Sequence, residues 1–483
     1  MSGAARPLRV LAVASECFPL VKTGGLADVV GALPAALAPE GIEVTTLLPG
    51  YPAVTGALDP VTRVEVLPDL FGAPARLLFG SHAGMPLVAL DAPQFFGRAG
   101  SPYLAPWGGD WPDNALRFAA LARAGAALAQ SRRFDAVHAH DWQAGLTPAY
   151  LRYEATRLPS LFTLHNLAFQ GQFPAGIFPM LGLPGEAFST GGVEYYGQVG
   201  YLKAGLWFAS RITTVSPTYA AEIRTPQLGM GLDGLLRGRA QALSGILNGL
   251  DTTEWNPATD PHLEARFDAA DAAPRAANKA ALQARMGLAP DPSAPLFVFI
   301  GRLTWQKGVD LVLEALPAIL ENGAQIAFLG SGDAPLEGRV HGATAANPGR
   351  VGSFIGFDEG LARLCYGGAD CIVLPSRFEP CGLGQLCALR YGAPPLVARV
   401  GGLADTVVDA NEMALAAGAG TGLNFAPVTQ EMLMAAIERA IRLYRTPGTW
   451  SRLTANAMAT DVSWARSAGQ YAALFRAMTG RDG

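Results

Sequence analysis

The sequence predicts an α/β protein whose parallel sheets are divided between two lobes. Three observations carry this prediction. Short runs that are apolar on consecutive residues alternate with helix-patterned segments along the chain. The alternation stops between Gly249 and Pro274 and then starts afresh. A chain of 483 residues also exceeds what one hydrophobic core can serve, so two domains or three are expected.

In chain order the predicted strands are Leu8–Ser15, Glu43–Leu48, Ala136–Ala139, Ser160–Leu164 and Arg211–Val215. After the break come Leu296–Gly301, Gln325–Leu329, Val351–Ile355, Cys371–Leu374 and Pro395–Ala398. Most are apolar at every position, as strands covered on both faces are. Helical patterns fall between them at Leu26–Leu37, Asn114–Ala129, Val309–Glu321, Leu361–Gly367 and Leu383–Tyr391. This βα alternation implies parallel sheets with helices on both sides. Asn248-Gly249-Leu250-Asp251 is turn chemistry, and the stretch from Trp255 to Pro261 lacks periodicity. The expected organisation is a first lobe over residues 1–249, a second over 250–447 and a tail over 448–483. Within the tail, Trp464, Tyr471, Leu474, Phe475 and Met478 recur at helical spacing, so the segment is expected to pack back across the first lobe. Gly401-Gly402-Leu403-Ala404-Asp405 echoes Gly24-Gly25-Leu26-Ala27-Asp28; shared strand-to-helix chemistry explains this as well as duplication does.

Bulk properties exclude several classes. Half the residues are hydrophobic and 16% are charged, which fits a packed globular chain rather than a disordered one. A net charge of −4 without a Lys/Arg block argues against nucleic acid as a partner. Cys17, Cys365, Cys371, Cys381 and Cys387 form an odd, scattered set without C-x-x-C spacing, so neither a zinc site nor a redox pair is indicated. A reducing compartment fits this usage. The run Val10–Ala14 is too short for a secretory signal, and no apolar stretch is long enough to span a bilayer. A soluble cytoplasmic protein with no membrane partner is expected.

Two loops place glycines just ahead of a helix: Lys22-Thr23-Gly24-Gly25 after the first strand, and Glu379-Pro380-Cys381-Gly382-Leu383-Gly384 after Cys371–Leu374. Glycine at such a point lets an anion approach bare backbone N–H groups, where the helix dipole favours it. One loop carries a lysine and the other a carboxylate, which suggests a cleft closed by two lobes around a phosphate and a sugar. The Lys22 loop is not a Walker loop, because the required spacing is absent. Arg302 and Lys307 follow the strand Leu296–Gly301, where two fixed cations can stabilise charge on a departing diphosphate. Glu379 admits two readings, helix N-terminal charge complementation or a carboxylate accepting from sugar hydroxyls. Cys381 reads as lining the pocket. At another strand end, His140 and Asp141 suit a sugar or acceptor hydroxyl, with Trp142 as a stacking face; a buried His–Asp pair holding the loop is the alternative. His165-Asn166 ends the next strand and is open to the same two readings. No further ligands complete a metal site beside His138 and His140, so no metal is expected.

These residues, taken together, resemble a known family. Lys22–Asp28, His138–Trp142, His165–Ala168, Arg302–Thr304 with Gln306–Gly308, and Ser376–Leu383 are similar to the motifs of the bacterial glycogen synthases, a family that includes the plant starch synthases. The similarity runs from about Val10 to Trp464, with several long motifs in the same order. The resemblance implies a GT-B fold, with two Rossmann-like lobes facing across a deep cleft. It also implies retaining transfer of glucose from ADP-glucose to the non-reducing end of an α-1,4-glucan, glycogen or a maltooligosaccharide. No pyridoxal phosphate or metal is implied. On the first, acceptor-side lobe, Lys22 and Gly25 of the Lys22–Gly25 loop would contact the diphosphate, and Asp141, His165 and Asn248 would line the sugar and acceptor side. On the second, nucleotide-sugar lobe, Arg302 and Lys307 would contact the distal phosphate and Glu379 the glucose. The amides around Gly382, Leu383 and Gly384 would add donors, and Phe357 would lie against the adenine. Two residues depart from the pattern: Gly384 stands where threonine is usual, and Phe357 where tyrosine is common. Each removes a hydroxyl and no charge, which bears on fine donor preference.

No second carboxylate accompanies Glu379 in these motifs, unlike the pair that retaining hydrolases use. The expected route is therefore same-face: ADP leaves, an oxocarbenium-like sugar forms, and the acceptor attacks from the departing side. The leaving phosphate takes the acceptor proton, and the family implies that the carbonyl of His165 steadies the cationic sugar. The competing readings are a UDP-glucose or small-acceptor transferase, a pyridoxal-phosphate phosphorylase, and a non-catalytic glycan-binding module.

Overall fold

The computed structural model describes residues 6–130, 134–154 and 158–481. The chain forms two compact units, Met1–Asn248 with Trp464–Gly483, and Gly249–Ser463.

The first unit is built on a nine-stranded sheet. Its order is Leu243–Gly245, Arg211–Thr214, Ser160–Leu164, Ala136–His140, Leu8–Val13, Ile42–Pro49, Met85–Asp91, Ala75–His82 and Arg63–Leu67. The first seven run parallel, and the last two form an antiparallel edge. The apolar runs form parallel strands because helices cover both faces, Gly25–Leu37 and Asn114–Gln130 among them. Leu8–Val13 is central, with Ile42–Pro49 on one side and Ala136–His140 on the other. Here the strand order reverses, and ligands of open α/β sheets bind at the carboxyl ends of the strands at such a point.

The second unit carries six parallel strands in the order Val351–Ile355, Gln325–Gly330, Leu296–Ile300, Cys371–Leu374, Pro395–Ala398 and Leu423–Phe425. Its reversal lies at Leu296–Ile300. The loops at this point, from Gly301 and from Pro375, are those with the predicted cations and carboxylate.

Several features differ from the sequence expectation, among them the short edge strands Leu243–Gly245 and Leu423–Phe425, which were not predicted. The hairpin strands Arg63–Leu67, Ala75–His82 and Met85–Asp91 were not among the predicted ones; the outermost is largely exposed and gives no continuous apolar run. The expected helix over 309–321 is two helices, Val309–Glu314 and Leu316–Glu321, since Pro317 supplies no N–H to continue the first. The tail expected from 448 divides. Thr449–Ala459 buries Ala457 and Met458 against Leu386, Tyr391 and Leu250 of the second unit. Only from Trp464 does the chain join the first unit, where Trp464, Tyr471 and Phe475 pack against Val29, Leu33, Leu37 and Val44. Among the described residues no helix is long and apolar enough to cross a membrane.

Candidate functional site

On the first unit, the Lys22 loop leaves the central strand and is organised by a residue the motifs did not single out. Glu16 is buried, and its carboxylate accepts from Thr23 Oγ1 (2.6 Å), the amides of Thr23 and Gly24, and the hydroxyl of Tyr103. Ser15 shares that hydroxyl at 2.8 Å. Gly24 and Gly25 are exposed, and a Cβ at either would meet nothing within 4 Å, so the amides at the start of Gly25–Leu37 stay open. Lys22 is exposed, with its Nζ 2.7 Å from Asp28 Oδ1 and over the ring of Phe18.

The neighbouring strand Ala136–His140 ends in Asp141, held at φ +53°. Its Oδ1 accepts the amide of His165 at 2.7 Å, which ties two adjacent strand ends together. Burial pushes the Asp141 carboxyl up to about 7, and the negative charge of Glu16 adds to this. His140 Nδ1 lies 3.1 Å from His165 Nε2, a contact in which one ring donates and the other accepts. His138 Nε2 meets Thr163 Oγ1 at 2.6 Å. Burial pulls the His138 and His165 imidazoles down to about 3 and His140 well below its ordinary value, so all three are neutral near pH 7. Asn166 turns the chain with its side chain, accepting from the Ala168 amide at 3.0 Å. Asn248 is buried, and its Oδ1 has no hydrogen-bond partner among the described residues. Trp142, expected as a stacking face, is half-buried in an aromatic cluster: Phe118 lies edge-on at 4.9 Å, Phe173 at 5.8 Å and Tyr103 at 6.4 Å. A Cβ on Gly171 would also strike its ring. A large apolar ring after a buried strand end finds protein partners first.

On the second unit, Lys307 Nζ lies 2.5 Å from Glu379 Oε2, which also accepts from Ser376 Oγ at 3.0 Å. The loop carrying Lys307 is pinned next to the Glu379 loop by Gln306 Nε2 to the Phe378 carbonyl (3.2 Å) and by Gly308. Gly308 sits at φ +73°, with the Pro375 carbonyl where a Cβ would be. Arg377 forks onto Asp310 at 2.9 and 2.7 Å. Arg302 is exposed, and among the described residues it makes no ion pair. Thus Lys307 and Glu379 are brought together, and Arg302 stands five residues before Lys307 in the same loop. Cys381 is buried, and Gly382 adopts φ +79°. Leu383 and Gly384 open the helix Gly384–Arg390. A Cβ on Gly384 would rest 3.4 Å from Leu374 and Tyr366, an ordinary contact. Phe357 is 87% exposed beyond the strand Val351–Ile355.

The two GGLAD segments serve opposite ends. Gly24 and Gly25 face open space. Gly401 and Gly402 instead receive the backbone of Glu379 and Cys381, with the Glu379 carbonyl 1.9 Å from the Cβ position of Gly401 and accepting the Gly402 amide at 3.1 Å. The second pair buttresses the carboxylate loop. Glu16, Tyr103, Ser376 and this glycine pair were not singled out as site residues from sequence. The signals available were a charged residue, Glu16, directly after an apolar strand, the place of Ser376 at the start of the Ser376–Leu383 motif, and the glycine echo at Gly401-Gly402.

Residues 9–238 match the family model for the starch synthase catalytic domain, and residues 284–457 match that for glycosyl transferases group 1. A glycogen synthase from Acidiphilium cryptum (strain JF-5) is 58% identical over 479 residues, covering 98% of this chain and 100% of the relative. One from Methylocella silvestris is 59% identical over 474 residues, covering 97% and 98%. The catalytic domain of Starch Synthase IV from Arabidopsis thaliana, solved bound to ADP and acarbose, is 32% identical with a TM-score of 0.86, covering 98% of this chain and 100% of that one. A sucrose-phosphate synthase from Thermosynechococcus elongatus, at 19% identity and TM-score 0.59, shares the fold. With two α/β units built on parallel strands, and relatives of this identity over nearly its whole length, the chain belongs to the glycogen synthase family of GT-B glycosyltransferases.

Proposed function

We propose that the protein transfers glucose from ADP-glucose to the non-reducing end of an α-1,4-glucan, with retention at the anomeric carbon. The observation that carries this is the Lys307–Glu379 pair at 2.5 Å, on a loop that also carries the exposed Arg302, which makes no ion pair among the described residues. In this reading Lys307 is the diphosphate-binding group and Glu379 the hexose-binding group, paired with each other until the donor arrives. Donor binding gives Lys307 and Arg302 to the phosphates and frees Glu379 to accept from sugar hydroxyls. The solved relative bound to ADP and acarbose supports this choice of nucleotide and glucan.

Each residue then has a task. Arg302 and Lys307 offset the charge that grows on departing ADP, and Lys22 with the amides of Gly24 and Gly25 offers further positive potential to phosphate. Asp141 holds the His165 amide, fixing the backbone whose carbonyl faces the cationic sugar in this reading. Asn248, with its unmet Oδ1, takes a hydroxyl donor of the sugar or acceptor. Phe357 stacks on the adenine. The acceptor hydroxyl enters on the face ADP leaves, and the phosphate takes its proton.

No metal and no pyridoxal phosphate takes part in this scheme, and turnover undiminished in EDTA tests that. The cytoplasm is the proposed place of action, consistent with five cysteines that are all buried. The deciding experiment is transfer of labelled glucose to glycogen from ADP-glucose and from UDP-glucose in parallel. Label that α-1,4-specific amylases release, obtained with ADP-glucose in clear preference, supports the reading. Equal or preferential use of UDP-glucose overturns the donor assignment.

A further inference from the structure

Away from the Lys307 and Glu379 loops, the second unit has a cleft of about 640 Å³ at one edge of its sheet. It lies at the carboxyl ends of the two outermost strands there, Pro395–Ala398 and Leu423–Phe425, whose next residues Arg399 and Ala426 form part of its wall. Ligands of parallel α/β sheets bind at such strand ends, in pockets of about 300–1,000 Å³. The helix Gln430–Arg445 turns Met432, Ala435, Ala436 and Arg439 toward the cleft, positions three and four apart on one face. Two of these four are alanines, which leaves the space open. Val407 and Phe425 border it too, and both are buried, so its interior is apolar.

The charges on the wall do not balance. Arg439 Nη1 and Nη2 donate to the two oxygens of Asp409 at 3.0 and 2.5 Å, and Nη2 also donates to the Asn424 carbonyl at 3.1 Å. Asp409 is thus taken by Arg439. Arg399 is exposed and makes no ion pair among the described residues. Asp405, Glu412, Glu431 and Glu438 adjoin wall residues in sequence without lining the cleft. The wall therefore sets two guanidiniums against one carboxylate, an excess of one positive charge beside an apolar interior. Its polar capacity is also unfilled: Asn424 Nδ2 donates to the Val407 carbonyl at 3.1 Å, while Asn424 Oδ1 has no hydrogen-bond partner among the described residues.

An anion with an organic body matches this arrangement. Guanidinium forks take carboxylate or phosphate by two parallel bonds. A carboxylate spends both oxygens on one arginine, as Asp409 does here. A phosphate has a further oxygen and a second charge, which suits a wall with two arginines. We propose that the cleft binds a small phosphorylated metabolite, its phosphate on Arg399 and its body over Val407 and Phe425. Binding there has a route to the donor site. Ala404 and Val407 of the wall belong to the helix Gly401–Thr406 and its C-cap, and the other end of that helix supports the Glu379 carbonyl through Gly401 and Gly402. Occupancy of the cleft therefore changes the KM for the nucleotide-sugar.

The test uses the full chain and three probes that share a phosphate and differ in body: inorganic phosphate, ribose 5-phosphate and AMP. Arg399→Gln removes the excess charge, and Ala435→Phe fills the cleft from an exposed helix position. Lys307→Ala is the control for binding at the catalytic loops, and thermal unfolding checks each fold. By calorimetry, at least one organic probe should bind more tightly than inorganic phosphate. Its Kd should weaken roughly 10-fold in Arg399→Gln and in Ala435→Phe, the loss of one charge-assisted contact, and hold in Lys307→Ala. That probe should shift the KM for ADP-glucose roughly 5-fold more in the parent than in Arg399→Gln. Absence of binding by every probe overturns the site, as does binding that Lys307→Ala abolishes and Arg399→Gln spares. Inorganic phosphate binding as tightly as the organic probes means an adventitious ion only and overturns the metabolite. Equal KM shifts in parent and Arg399→Gln overturn the route through the helix. Arg399-dependent binding by a parent that transfers no glucose from ADP-glucose keeps the cleft and removes the proposed reaction instead.

Discussion

Glu16 shows how one side chain can shape a loop whose motif does not include it. Its carboxylate serves the amides of Thr23 and Gly24 and the hydroxyls of Thr23 and Tyr103. An amide in its place turns an N–H₂ group toward at least one of those donors. Leaving one buried donor unmet costs about 1–3 kcal/mol. Glu16→Gln should therefore lower the melting temperature and raise the KM for the nucleotide-sugar more than it lowers kcat; an unchanged donor KM would show that the loop holds its shape without this carboxylate. Arg302→Ala and Lys307→Ala should each reduce kcat by on the order of 10²-fold, the usual loss for one charge-stabilising donor. Near-normal turnover in either would remove that residue from leaving-group stabilisation. The glycines separate by the same kind of reasoning. Gly384→Ala adds a Cβ at ordinary contact distance at the first position of a helix, so it should gain about 0.5–1 kcal/mol from a stiffer unfolded chain. Gly401→Ala drives a Cβ into the Glu379 carbonyl and should lose both stability and activity. Melting temperatures of the pair decide the point. Sequence placed Gly24, Gly25, Lys307 and Glu379 at the right strand ends, because strand-to-helix loops announce themselves by composition. It did not distinguish glycines open to a ligand from glycines filled by a neighbouring backbone, since that depends on which other loop arrives there.

At the scale of elements, the carboxyl ends of Ala136–His140 and Ser160–Leu164 gather Asp141, His138, His140 and His165 in surroundings that disfavour charge. Their effects on stability have opposite signs. A carboxyl raised to about 7 makes the folded state hold a proton that the unfolded chain releases near 4, so this group favours folding at low pH and loses that contribution as pH rises toward 7. Histidines lowered to about 3 take no proton in the folded state while the unfolded chain takes one near 6.5. Their contribution is complete above about 6.5 and is lost as pH falls toward 3. Three histidines oppose one aspartate, so the net expectation is acid lability beginning below about pH 6.5. Chemical denaturation of the parent across pH 4–8 should show falling stability on the acid side, and His138→Gln should flatten that slope. A parent curve that rises toward pH 4 would show Asp141 outweighing the histidines. These strands were legible because each is apolar throughout. The antiparallel edge Arg63–Leu67 and Ala75–His82 was not, because a strand with an exposed face lacks the continuous apolar run. The state of Trp142 was equally hidden, since its neighbours Phe118, Phe173 and Tyr103 come from three other segments.

For the whole molecule, the consequential fact is that the first unit is discontinuous in sequence. The chain leaves it at Asn248 and re-enters at Trp464. The helical spacing of Trp464, Tyr471 and Phe475 made the returning helix legible in the sequence. The division of the tail was not, because Thr449–Ala459 is amphipathic too, and only packing assigns Met458 to one core and Trp464 to the other. A chain ending at Ser463 would keep every residue of the second unit and strip three aromatic side chains from the first. Burying each contributes about 1.5–3 kcal/mol, so together they approach the 5–15 kcal/mol by which a whole domain is usually stable. The opposed surfaces of Leu33, Leu37 and Val44 would be wetted, and His138, whose ring lies 5.8 Å from Tyr471 and 5.7 Å from Phe475, would lose its cover. The truncated chain should therefore be cut readily by protease within residues 6–248 while 249–463 stays protected, and mass spectrometry of the fragments reads this directly. Phe475→Ala in the full chain should reproduce the effect in milder form, losing about 3–5 kcal/mol from the first unit alone. Protection of both regions after truncation would mean that the first unit holds together without its C-terminal helix.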